Sequence, residues 1–217
     1  MRSRKTTYAV AIAGVLVLAV ALTVLSLGYG AWGRSGGMMG TRDPGTAMGA
    51  RLRDAPGPRV SEEDAARLGA QTPADATVDR ASNSIVFTGT DVRLVVMASP
   101  VMPAEDFRIA GLIDPTVTVP MGAHVSMQVI NADDDMAHGL VISRSKYPMM
   151  MMTSPAFRGA GVWALGDAGA DGMHTQTVNF TADASGTYRY VCPVPGHAEK
   201  GMSGAFIVAP NASGPAA

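Results

Sequence analysis

Residues 78–210 predict an all-β sandwich or barrel, and three observations carry that reading. Short runs rich in β-formers recur at 84–88, 92–97, 107–113, 116–119, 124–130, 138–143, 175–181, 187–191 and 205–208, separated by Gly, Pro, Asn and Asp. Several alternate in polarity. Val125, Met127 and Val129 oppose Ser126 and Gln128, and Val178 and Phe180 oppose Thr177, Asn179 and Thr181. No long amphipathic helix interrupts the series, so seven to nine strands must bury one face each against a second sheet or a closed barrel. The whole chain is 217 residues, 47% hydrophobic and 16% charged, which suits one domain with extensions.

The first extension is residues 1–33. Arg2, Arg4 and Lys5 precede a stretch with no charged residue before Arg34. Its apolar part, 8–27, would span about 30 Å as a helix at about 1.5 Å per residue, the thickness of a bilayer core. Tyr8 at one end and Tyr29 with Trp32 at the other suit the two interfaces. The basic residues keep the N-terminus cytoplasmic and send the remainder outside. A cleaved signal peptide has the same charge layout, but its apolar region is shorter, roughly 7–15 residues. No clear small-x-small cleavage site follows, and no cysteine lies nearby to carry a lipid. The expectation is a single-pass anchor in the cell membrane with an extracytoplasmic functional domain, secreted if the segment is cleaved.

Residues 34–77 read as a Gly/Pro-rich linker containing a short helix. Six glycines and three prolines between Arg34 and Val60 break any hydrophobic period, so this part is expected to be a flexible coil about 30 Å from end to end. Ser61, followed by Glu62, Glu63 and Asp64, then opens Ala65, Ala66, Arg67 and Leu68 as a capped helix. Within the β domain, 145–171 fits no strand pattern and reads as a long loop insertion. Residues 211–217 form a tail, and no internal repeat is present.

Charge and cysteine counts narrow the chemistry. Net charge is −1, and setting aside the three basic residues at the N-terminus leaves 14 basic against 18 acidic residues. No basic block interleaved with aromatics exists, so nucleic acid is not expected as a partner. Cys192 is the one cysteine, which forbids an internal disulfide and any four-thiolate zinc or iron–sulfur site. The histidines are His124, His138, His174 and His197.

The informative stretch runs from Tyr188 to Met202. A strand ends at Cys192, a Pro/Gly loop follows, His197 comes five residues on, and Met202 five beyond that. A soft thiolate, an imidazole and a thioether from one loop are three of the ligands of a mononuclear blue-copper site. A second imidazole is needed. His138 opens a strand, with Leu140 and Ile142 on its face, that can lie alongside. A trigonal His, His, Cys set with a weak axial Met suits both oxidation states of copper, and it gives the lone exported thiol a purpose.

At these residues the chain resembles the cupredoxin family, and its C-x4-H-x4-M spacing resembles the rusticyanin and sulfocyanin branch. The loop of that branch maps onto Cys192, His197 and Met202, and its first histidine onto His138 in the Asn131 to Val141 segment. The resemblance is strong at the C-terminal end and weaker before Asn131. It implies a Greek-key β-sandwich, one copper ion in a type 1 site alternating between Cu(II) and Cu(I), and single-electron transport in respiration. Redox proteins such as a cytochrome or a terminal oxidase would be the partners. One departure stands out: many members carry a polar side chain directly after the first histidine, where this chain has Gly139. Asn131 is the candidate to supply that hydrogen bond instead.

Other features have plainer readings. His124 and His174 lack ligand neighbours and read as ordinary surface or strand-end residues. Met149, Met150, Met151 and Met152 read as adaptable packing under a long loop, or as a soft Cu(I) transit site. Asp133, Asp134 and Asp135 read as a solvated turn that could steer a basic partner. The imidazole edge of His197 is expected at the surface as the electron port, within a flat face of Pro193, Pro195, Gly196, Ala198 and Gly201. An enzyme is disfavoured, because multicopper oxidases need His-x-His pairs and a dinuclear oxidase centre needs two cysteines. The alternative is an exported copper-storage or delivery protein on the same scaffold.

Overall fold

The computed structural model describes residues 43–99, 101, 104–147 and 154–210. The proposed membrane span, the start of the linker, the Met149–152 run and the C-terminal tail lie outside the described residues. Among the described residues no helix is long and apolar enough to cross a membrane.

The elements follow in the order α1 (Pro44–Leu52), β1 (Arg59–Val60), α2 (Glu62–Gly69), β2 (Ala76–Asp79), β3 (Ser84–Phe87), β4 (Asp91–Ala98), β5 (Phe107–Ile109) and β6 (Leu112–Ile113). Then come β7 (Thr116–Pro120), β8 (His124–Asn131), β9 (His138–Ser143), β10 (Gly161–Leu165), β11 (Met173–Thr181), β12 (Gly186–Val191), α3 (His197–Lys200) and β13 (Ser203–Ala209). Two mixed sheets result, with orders β1-β11-β8-β4-β5-β6 and β10-β9-β12-β13-β7-β3-β2. Strand pairs β4/β8, β7/β13 and β3/β7 are parallel and the rest antiparallel. The alternating side chains Val125, Met127, Val129 and Val178 of one sheet meet Leu140, Ile142, Tyr190 and Phe206 of the other in a single buried core.

Three stretches differ from the sequence expectation, each for a local reason. Residues 107–113 form a tight hairpin rather than one strand, because Ala110 and Gly111 both take left-handed backbone at φ 51° and 76°. The supposed loop insertion contains β10, which pairs antiparallel with β9 (Gly161 with Val141, Leu165 with His138) across a register shift. That irregularity, and strand faces that do not alternate between buried and open, hide it from a period-two search.

The third correction concerns the flexible linker. From Pro44 onward the chain is folded. The Asp43 carboxylate accepts the Gly45 N–H at 2.8 Å and Pro44 occupies the first turn, which together start α1. The buried positions of α1 are Gly45 and Gly49, one turn apart, so the helix is held by close backbone approach rather than by an apolar stripe. A Cβ at Gly49 would sit 2.8 Å from the Ala137 nitrogen. Strand β1 then joins β11, pairing Arg59 with His174 and Val60 with Met173. The expected helix after Ser61 is present as α2. Its cap is the Ser61 hydroxyl, which accepts the Asp64 N–H, and Ala65 packs on Met97 and Ile130 of the six-stranded sheet.

Candidate metal centre

Strand β12 lies between β9 and β13, with Val191 paired to Val141 on one side and Ser203 on the other. Cys192 follows it immediately. Its N–H donates to the Met202 carbonyl at 3.1 Å, and the Met202 N–H donates to the His197 carbonyl at 3.0 Å. The loop therefore closes on itself around α3, a single turn entered at Gly196 (φ 93°) and left at Gly201 (φ 116°). Those two left-handed positions cost glycine little and other residues more. His138, at the start of neighbouring β9, completes the group. All four side chains are buried.

The donor atoms converge. Cys192 Sγ is 3.8 Å from His138 Nδ1 and 3.6 Å from His197 Nδ1, and the two Nδ1 atoms are 3.1 Å apart. Three donors about 2.0–2.3 Å from a central metal in a trigonal plane would stand about 3.5–3.8 Å from one another. The two sulfur–nitrogen distances meet that range, and the two nitrogens, at 3.1 Å, would have to separate slightly to admit an ion. Among the described residues these three make one of two groups able to hold a metal ion, the other being Asp133, Asp134 and Asp135.

The far nitrogens decide which atoms face the pocket. His138 Nε2 lies 2.9 Å from Asp133 Oδ2, and His197 Nε2 lies 3.2 Å from Asp43 Oδ1. Both carboxyls are held below their ordinary range. Burial works against this for Asp133, but hydrogen bonds from His138 and the Asp135 N–H prevail. For Asp43 burial is likewise overcome, by Lys200, the Gly45 N–H and His197, giving a value of about 2. An ionised carboxylate can only accept, so each Nε2 donates to the carboxylate behind it and each Nδ1 is turned toward Cys192 and the other ring. Burial, reinforced by the facing His138, lowers the affinity of His197 for a second proton. Two imidazole nitrogens and a sulfur thus face one another in a buried pocket, an arrangement suited to a cation.

The thiol fits the same account. Burial pushes Cys192 up to about 12, against the backbone N–H groups of Gly139 and Val194 that donate to its sulfur. The free side chain is a neutral thiol, and a coordinated metal would deprotonate it outright. Gly139 is required sterically, since a Cβ there would meet the carbonyl oxygens of Trp163 and Val162 at 2.4 and 2.5 Å. The missing polar side chain is the consequence of β10 running so close.

Asn131 acts one step further from the site than the sequence suggested. Its Nδ2 donates among the carbonyls of Met136, Leu165 and Gly166, at 2.9, 3.1 and 2.7 Å, and its Oδ1 accepts the Asp133 N–H at 3.2 Å. It holds the loop, and Asp133 holds His138. Asp133 is accordingly no part of a solvated turn but fully buried, while Asp134 and Asp135 are exposed as expected. The spacing Asn131, Asp133, His138 was the available signal: side chains that cap their own turn just before a ligand.

The expected electron port is also corrected. His197 is fully buried, its edge covered by Asp43, and Lys200 Nζ bridges Asp43 and Glu105 at 2.7 Å each. Pro193 and Ala198 of the supposed docking face are buried too. His124 is exposed on β8, as expected, whereas His174 is buried and bonded to the Arg53 carbonyl at 2.8 Å.

A family model described as the Sulfocyanin (SoxE) domain matches residues 80–217. The chain belongs to the sulfocyanin family. This sulfocyanin-family chain is 33% identical over 129 residues to rusticyanin of Acidithiobacillus ferridurans, an alignment covering 58% of this chain and 67% of that protein. It is equally similar to rusticyanin of Acidithiobacillus ferrooxidans, with 81% of that protein covered. A solved structure of reduced rusticyanin superposes with a TM-score of 0.56 at 27% identity, covering 70% of this chain and 99% of that one. Rusticyanin from Thiobacillus ferrooxidans gives 0.55 at 28% identity, covering 70% and 96%. Another solved rusticyanin is described as a copper protein, at 26% identity and a TM-score of 0.55. The sulfocyanin-family fold and the donor set of a type 1 copper site thus occur together here: His138, Cys192, His197 and Met202.

Proposed function

We propose that this chain is a membrane-tethered type 1 copper protein that carries single electrons between respiratory partners outside the cytoplasmic membrane. The observation that carries the reading is the buried convergence of two imidazole nitrogens and one thiol, with each imidazole fixed from behind by a carboxylate.

Copper bound there would supply one reversible electron by alternating between Cu(II) and Cu(I). The protein does the rest. His138 and His197 present Nδ1 in set orientations and would hold the ion with the Cys192 sulfur, deprotonated on binding, while the buried Met202, tied by its backbone to His197, would supply the weak fourth donor. All four side chains are buried, which suits a carrier that passes an electron through the protein rather than a site that admits a substrate. The apolar run at 8–27 and the basic residues before it support tethering with the domain outside. A cytochrome or a terminal oxidase is the class of partner this chemistry suits.

The test is Cu(II) titration of the detergent-solubilised full chain, followed by visible absorption. An intense blue band at one equivalent, bleached reversibly by a mild reductant and lost in Cys192→Ala, is the expected result. Cu(I) binding that survives Cys192→Ala but fails when Met149, Met150, Met151 and Met152 are replaced would instead establish copper delivery. Sedimentation of the chain with membranes after a high-salt wash tests the anchor, and release into the soluble fraction would refute it.

A further inference from the structure

The edge of His197 is closed by a residue that the sequence places 154 positions away. Asp43 stands ahead of α1, outside the residues 80–217 that match the family model. Its Oδ1 meets His197 Nε2 at 3.2 Å and its Oδ2 accepts from Lys200 at 2.7 Å. The helix behind it is built for this approach, because a Cβ on Gly45 would come within 2.6 Å of His197 Nε2. Gly49 brings the next turn equally close to the segment before His138. Lys200 ties Asp43 to Glu105, whose other oxygen is buried without a hydrogen-bond partner and lies 3.9 Å from His197 Nδ1.

We propose that Asp43 is a positioning residue for the metal ligand His197, supplied by the segment between the tether and the β domain. The proposal rests on the copper reading above. The carboxylate fixes the ring so that Nδ1 faces Cys192, and it shields the Nε2 proton from water. It also adds electron density to the imidazole through the Nε2–H bond, as a carboxylate behind a metal-bound histidine does. Negative charge at that point favours the more positive oxidation state, so Asp43 lowers the reduction potential. The lysine between Asp43 and Glu105 moderates the effect, since its ammonium partly neutralises both.

Asp43 also caps α1, so the variants must keep the cap. Asn and Ser are both good N-caps. Asp43→Asn keeps an acceptor near His197 and removes the charge, whereas Asp43→Ser is too short to reach the ring. In the copper-loaded full chain both variants should stay blue and show a midpoint potential above that of the wild type. In proton ENDOR of the Cu(II) form, the Nε2 proton of His197 should exchange with deuterium faster in Asp43→Ser than in wild type, with Asp43→Asn close to wild type. Blue variants with unchanged potential and unchanged exchange would overturn the role of Asp43 and leave the copper reading standing. A wild type that never turns blue would overturn the copper reading, and this inference with it.

Discussion

Replacing Asn131 by alanine removes a side chain that ties three segments together behind His138. The amide has two hydrogens to share among the carbonyls of Met136, Leu165 and Gly166, and its oxygen accepts the Asp133 N–H. Three hydrogen bonds are therefore lost, each contributing about 1 kcal/mol net, and some groups left behind are buried with no water to replace the amide. An unsatisfied buried group adds about 1–3 kcal/mol. The expected loss is about 3–5 kcal/mol, against a total stability on the order of 5–15 kcal/mol for a typical domain. Urea unfolding of the copper-free full chain reads this as a lower midpoint with the slope unchanged. Copper affinity should fall as well, because Asp133 loses the bond that places it against His138. A loss below about 1 kcal/mol, with copper affinity unchanged, would refute the view that Asn131 organises this loop.

Three further outcomes follow from the same geometry. Met202→Gln should leave the loaded protein blue and lower its reduction potential, because a long axial bond tunes potential more than affinity; an unchanged potential would count against Met202 as the axial donor. Burial, with the nearby Asp106 charge adding to it, pushes the Asp114 carboxyl up to about 7 from its ordinary 3.8. Between about pH 4 and 7 the native state then holds a proton that the unfolded chain has released, so stability falls as pH rises through that window. Asp114→Asn keeps an acceptor for the Phe107 N–H and tolerates the left-handed backbone at φ 44°. It should raise stability at pH 8 by on the order of 1–2 kcal/mol after allowing for solvent screening, and change little at pH 4. Equal pH slopes in variant and wild type would show that Asp114 does not titrate in this way. Added azide should leave the visible spectrum of the loaded wild type unchanged, since all four donor residues are buried; a new charge-transfer band would reveal an open coordination position.

The metal ligands were legible in the sequence because they are local. Cys192, His197 and Met202 lie on one loop, and His138 opens a short β-rich run, 138–143, that is buried along its whole length. The carboxylates behind them were not legible for two different reasons. Asp133 sits in a run of three acids that looks solvated, and only the inward turn fixed by Asn131 buries it. Asp43 belongs to a helix whose buried face is Gly45 and Gly49, so a search for apolar periodicity passes over it. The Asp43-Pro44 pair was its one available signal, an N-cap followed by proline in the first turn. Strand boundaries came within a few residues wherever one face was buried and the other open. The reading failed at β10, where close approach of β9 and the shifted register erase the alternation. Parallel pairing of β4 with β8 and of β13 with β7 joins strands that are distant in sequence, and alternation alone cannot order them.

The closing of the His197 edge bears on what the site can do. An exposed imidazole would let water exchange its hydrogen bonds each time the metal charge changed, and that rearrangement would slow electron transfer. Here three of the four donors are held from behind by the protein. His138 is fixed by Asp133, His197 by Asp43, and the Cys192 sulfur by the N–H groups of Gly139 and Val194. His138 opens β9 and Cys192 follows β12, strands paired to each other and, through β12, to β13, while the carboxylates come from the N-cap of α1 and the loop before β9. A change of oxidation state would therefore meet nearly the same geometry before and after. A site that leaves its ligands so little freedom is poorly suited to binding and releasing a substrate, and well suited to passing an electron through.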